Sequence, residues 1–161
     1  MGAKAAEIDA AAAALAVLEG ARAARTEPEA SETAVLAALA LAPDDLGIRM
    51  AAYKFYFYDA RLAEALPHAA WTIVHAARVL GLPDDWRDVE PGSAAFDTLD
   101  PMPRLFLQSL LAWGWCKART GDLTAGIAAM TRVATLDPHD RFGAARLAEV
   151  VRREGRDDED D

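Results

Sequence analysis

A chain of 161 residues and 17.3 kDa has the size of one ordinary domain, and its 53% apolar content is enough to bury a core, which excludes global disorder. A mean hydropathy of +0.01 speaks against a membrane protein, and a net charge of −9 without any Lys/Arg block speaks against nucleic acid or anionic lipid as a partner. The 38 alanines outnumber Val, Ile and Thr, which together total 20, so an all-α fold is expected.

Proline and glycine divide the chain at Thr26-Glu27-Pro28, Ala42-Pro43-Asp44-Asp45, Tyr58-Asp59-Ala60, Gly81–Pro103, Thr120-Gly121-Asp122 and Asp137-Pro138-His139-Asp140. The pieces between predict about seven helices, and the short connections make successive helices antiparallel neighbours. The first piece carries an apolar Ala11–Leu18 and an Ala-Arg-Ala at 21–23, as a leader peptide would, but Glu7 and Asp9 remove the positive start that secretion requires. A helix and a cytoplasmic protein are expected. The run Tyr53-Lys54-Phe55-Tyr56-Phe57-Tyr58 places five aromatics within six residues, so on a helix at least one of them must face outward; a short strand is the alternative. Further on, His68, Trp71, His75 and Arg78 share a helical face. The two histidines are two turns apart and lack an obvious carboxylate partner, so a packed or solvated face is expected there, and no metal.

The stretch 81–101 is too long for an ordinary connection, and Trp86 and Phe96 are expected to pin it onto the helices. The apolar run near Leu105–Cys116 contains Gln108 and is too short to span a bilayer. Cys116 is the single cysteine, which excludes an intramolecular disulfide and favours a reducing compartment; amid apolar neighbours it reads as a packing residue. Five of the nine net negative charges lie in Asp157–Asp161, leaving −4 for the rest, and the segment 157–161 reads as a disordered, solubilising tail. No phosphate-binding glycine loop, nucleophile elbow or dinucleotide fingerprint is present, so no catalytic residue is assigned and no enzyme is expected.

The segment Leu110–Pro138, LLAWGWCKARTGDLTAGIAAMTRVATLDP, places small residues at Gly114, Gly121 and Gly126, larger apolar ones at Leu110, Trp113, Met130 and Val133, and a closing proline at Pro138. In this it resembles a tetratricopeptide repeat. The register carries backward through Tyr56, Ala60 and Ala65 and then Leu15, Leu18, Val35 and Ala38, and forward through Ala144, Leu147, Ala148, Val151 and Gly155. Tyr53 and Gly114 lie 61 residues apart, 27 more than the 34-residue repeat, and the excess falls in a longer helix up to Leu80 and in the 81–101 loop.

The resemblance implies one tetratricopeptide-like α-solenoid domain over residues 1–156. It has hairpins at about 4–42, 44–80 and 102–137 and a capping helix at about 140–154. It also implies a concave groove for a peptide or protein segment, with Met50, Lys54, Phe57, Tyr58, Gln108, Leu111, Trp115, Arg119, Phe142 and Arg152 on the groove side. The set of Lys, Asn and Arg with which some members grip a terminal carboxylate is not matched, since the chain has no Asn and Met50 and Phe57 occupy groove positions. The expected function is that of a bacterial-type, non-catalytic adaptor, an accessory, assembly or chaperone-like factor without a cofactor. If Lys54, Arg119 and Arg152 line the groove, the acidic tail is expected to compete weakly with a partner for them. The alternative is a small-molecule or cofactor-binding protein whose apolar pocket is closed by the 82–103 loop.

Overall fold

A computed structural model describes residues 28–160. The described residues form six α-helices and one short 3-10 turn, with no strand among them. The aromatic run 53–58 is helical, which settles helix against strand there. The first arm of the expected 4–42 hairpin, with Leu15 and Leu18, lies outside the described residues. The chain divides into two compact units, Met1–Ala60 and Arg61–Asp161. Each unit has apolar clusters of its own, and the expected 44–80 hairpin has one helix in each.

In the first unit, α1 (Pro28–Leu41) and α2 (Leu46–Tyr58) are joined by Ala42-Pro43-Asp44-Asp45. The Asp45 carboxylate accepts the Ile48 amide N–H at 3.1 Å, satisfying one of the amides that a helix start leaves without a carbonyl partner. Ala38, Ala42 and Ile48 form the apolar contact between the two helices, and the Tyr56 hydroxyl donates to Glu32 at 3.3 Å. Alanine at the contact lets the backbones come close, which is one structural use of the alanine-rich composition.

The second unit contains α3 (Leu62–Leu80), the 3-10 turn (Trp86–Asp88), α4 (Pro101–Arg119), α5 (Leu123–Leu136) and α6 (Ala144–Glu159). α3 stops at Gly81, whose φ of +69° is the left-handed conformation that glycine adopts without a steric penalty, and Leu82 N–H then returns to Ala77 O. The Asp122 carboxylate caps α5 by accepting the Ala125 amide N–H at 3.1 Å. α4 and α5 cross at two bare backbones. A Cβ built on Gly126 would lie 2.6 Å from the Gly114 carbonyl oxygen and 2.7 Å from the Ala118 Cβ, so no larger residue fits without separating the helices.

Phe106, Leu107 and Leu110 of α4, Val133 and Leu136 of α5, and Ile73, Ala76 and Ala77 of α3 form the main core. Leu82, Trp86, Val89 and Phe96 of the long connection belong to it as well. Trp86 packs edge-on against Trp113 at 5.8 Å between ring centroids, and Phe96 lies 5.9 Å from Phe106. Arg132 donates to the Val89 carbonyl at 3.3 Å, and Arg141 to the carbonyls of Thr98 and Asp97 at 2.6 and 3.0 Å. The connection is therefore pinned at both ends of its length, as its two aromatics led one to expect.

A smaller core of Met130, Ala148 and Val151 seats α6, with Leu111, Trp115, Leu123 and Leu147 packed around it. A helix is present where the capping helix was expected and runs past 154, taking in Asp157, Asp158 and Glu159 of the segment read as a tail. The helix face that carries buried Val151 and half-buried Gly155 repeats at Asp158, which borders Leu123 and the end of α4 and is itself exposed.

Candidate functional site

The predicted groove residues fall in two sets. On α2, Ile48, Ala52, Tyr53 and Tyr56 are buried along one face. Met50, Lys54, Phe57 and Tyr58 recur at four-, three- and one-residue steps on the opposite face, as a 3.6-residue period requires. Lys54 is exposed, Met50 and Phe57 are half-buried, and Tyr58 is 83% exposed. The rings form an edge-to-face series, Tyr53 to Phe57 at 6.2 Å and Phe57 to Tyr58 at 5.7 Å. Buried Tyr53 thus supports a half-buried Phe57, which in turn orients an exposed Tyr58.

The second set lies on α4, where Gln108, Leu111, Trp115 and Arg119 recur at three and four residues along one stripe. Gln108 is exposed, while Leu111 and Trp115 are half-buried against the small core under α6. The Arg119 guanidinium lies over the Trp115 ring at 4.3 Å from its centroid and pairs with Glu154 of α6 at 2.9 Å. Arg152 is held by Glu149 at 2.9 Å on its own helix. Glu149 also accepts from Arg153, and the hydrogen bond from Arg152, followed by that from Arg153, draws its carboxyl below the usual carboxylate range. Two of the bases expected to give a groove its positive charge, Arg119 and Arg152, are therefore paired with carboxylates of α6. Phe142 is placed differently from the expectation: it packs half-buried against the main core, and its amide donates to the Asp137 carboxylate at 3.2 Å. The short turn into α6 draws it there.

Other reactive groups are quiet. Cys116 is fully buried, and burial pushes its thiol up to about 11, so it stays protonated and non-nucleophilic at neutral pH. His75 stacks on Trp71 at 4.9 Å between ring centroids. Among the described residues no group of three or more His, Cys, Asp or Glu is placed to hold a metal ion. The loop that the small-molecule alternative would close over a ligand has Trp86, Val89 and Phe96 inside the core.

What the sequence reading passed over is the far end of α6. Val151, Glu154, Gly155 and Asp158 line a cleft of about 240 Å³ with Arg119 and Leu123. The signal was there in the spacing, because 151, 154, 155 and 158 share one helical face, but the acidic composition of the segment read as a solvated tail.

No established family profile matches the chain, and no solved structure does. A curated relative from Azotobacter chroococcum mcd 1 is 33% identical over 122 residues, which cover 75% of this chain and 69% of the relative. With that identity over that share of both chains, the protein belongs to the family of the uncharacterized 19.8 kDa protein in the nifW 5′ region.

Proposed function

We propose that the chain is a non-catalytic, protein-binding adaptor of bacterial type, acting in the cytoplasm as an accessory, assembly or chaperone-like factor. In this reading the helices are a tetratricopeptide-like array, supported by the bare-backbone crossing of Gly114 and Gly126 at the positions where the repeat calls for small residues.

The observation that carries the reading is the outward face of α2. An 83% exposed tyrosine beside a half-buried phenylalanine, with Lys54 and Met50 on the same face, presents a large amphipathic ring in edge contact with its neighbour. Tyrosines of this kind are common anchors at protein interfaces, since they bury much area at small entropic loss.

The test is affinity capture from native cells with the full-length protein and with a Tyr58→Ala, Lys54→Glu variant, read by quantitative mass spectrometry. The variant should retain its helical circular dichroism, because both side chains are exposed, and should recover a specific partner at least about 10-fold less well. Recovery of the same proteins in the same amounts would overturn the reading.

A further inference from the structure

Of the helices in the second unit, α6 buries the smallest share of its residues: three of sixteen, against six of nineteen in α3, eight of nineteen in α4 and five of fourteen in α5. The three are Ala144, Ala148 and Val151, with Leu147 half-buried beside them, so little apolar area leaves water when this helix docks. Gly155 within the helix costs conformational entropy, and Asp157, Asp158 and Glu159 at its carbonyl end oppose the helix dipole. Among the described residues one ion pair joins α6 to another helix, Arg119 with Glu154 at 2.9 Å. Both of its side chains are partly exposed, so it is weak and screened by salt.

The seat beneath α6 is richer in large apolar side chains than α6 itself. Leu111, Trp115 and Ala118 of α4 and Leu123, Ile127 and Met130 of α5 make it. Leu111, Trp115 and Arg119 are also residues that the repeat register puts on the groove side, and α6 lies against all three. The two apolar ones pack into its small core, while Arg119, laid over Trp115, is paired with Glu154. Val151 and Glu154 stand three positions apart, on one face of α6. The helix thus offers an apolar side chain followed by a carboxylate to a seat of apolar side chains followed by a guanidinium.

We propose that α6 is a lid that lifts as one piece, and that its seat then takes an amphipathic helix of a partner protein bearing an apolar residue and, three positions on, a carboxylate for Arg119. That the occupant is a protein rests on the adaptor reading above; the lifting of α6 does not. An element with little buried area opens at a lower free energy than the body it rests on. A helix of the stated pattern then remakes the contacts that α6 gave up, as helices laid in apolar grooves do. While α6 is down the seat is closed, so the fraction of molecules with the lid open scales the apparent affinity for the partner.

The test uses full-length protein labelled with ¹⁵N and, standing in for the partner, a blocked synthetic peptide with the sequence of residues 144–160. Saturable amide shifts are expected along residues 111–130 and in the displaced α6. Glu154→Gln should act in opposite directions in the two molecules. Made in the protein, it loosens the lid, and the peptide should bind about 2- to 5-fold more tightly; made in the peptide, it removes the Arg119 contact and should weaken binding by about the same factor, as expected of one exposed ion pair. Hydrogen exchange gives a second readout: in the Glu154→Gln protein the α6 amides should exchange faster by that factor, while the middles of α3, α4 and α5 keep their rates. No saturable shifts, a variant protein that binds the peptide no better than the parent, a variant peptide that binds no worse, or exchange that rises equally in all four helices would each overturn the proposal. Partner capture with the Tyr58→Ala, Lys54→Glu variant reads α2 in the first unit, whereas this titration needs no native partner, so failure of one reading is distinguishable from failure of the other.

Discussion

Gly126 shows how much one hydrogen atom in place of a side chain can decide. Any Cβ at this position meets a carbonyl oxygen, a methyl group and a backbone nitrogen, all within 2.8 Å and none on a flexible side chain. Relief therefore requires α5 to move away from α4. Gly126→Ala is expected to cost about 2–3 kcal/mol, the upper part of the overpacking range, read as a lower midpoint in urea with an unchanged slope. Gly155→Ala makes a contact that looks as short, but its neighbour is the end of the Leu123 side chain, which can rotate, so the loss there should be smaller. A cost for Gly126→Ala no larger than that for Gly155→Ala would show that the crossing is looser than its geometry implies. The small-residue spacing made Gly114 and Gly126 legible as contact points before any coordinates, because close approach has a direct sequence signature. Phe142 was not legible in that way: its register position suggested a groove, and the turn between α5 and α6 turned it into the core.

At the scale of elements, the long connection between α3 and α4 behaves as part of the core. Its ends were readable, since Gly81 stops α3 and Pro101 suits the first turn of α4, both for local steric reasons. Its path was not, because it depends on long-range partners: Arg132 and Arg141 reach carbonyls 43 and 44 residues away in sequence. Arg141→Ala removes two of those bonds while leaving Trp86, Val89 and Phe96 in place. It is expected to lower stability by about 1 kcal/mol and to speed amide hydrogen exchange around Asp97 and Thr98, leaving the middle of α4 and α5 protected. Exchange that rises equally in the helices would mean the arginine holds the whole unit and not its connection. The end of α6 shows the converse limit of sequence reading. A run of acids at a helix C-terminus opposes the helix dipole, which argues for fraying, but α6 continues to Glu159 from a stretch seated by Ala148 and Val151.

For the whole molecule, the division at Ala60 and Arg61 changes the meaning of a single-domain size. Helix content was readable from alanine, proline and glycine, whereas the division was not, because it depends on which helices share apolar contacts and not on where each helix ends. The chain's own chromophores separate the two units. All three tyrosines, Tyr53, Tyr56 and Tyr58, lie in the first, and all four tryptophans, Trp71, Trp86, Trp113 and Trp115, lie in the second. Tryptophan fluorescence therefore reports residues 61–161 alone. Ile48 is 1% exposed within the small contact of α1 and α2, and Ile48→Ala should cost that unit about 2–4 kcal/mol through lost burial and the cavity left behind. If each unit is stabilised by its own core, this substitution melts the tyrosine near-ultraviolet dichroism at lower denaturant while the tryptophan transition stays in place. A tryptophan midpoint that falls in step with the tyrosine signal would mean the two units fold as one cooperative body, and the separate apolar clusters would then be parts of a single energetic unit.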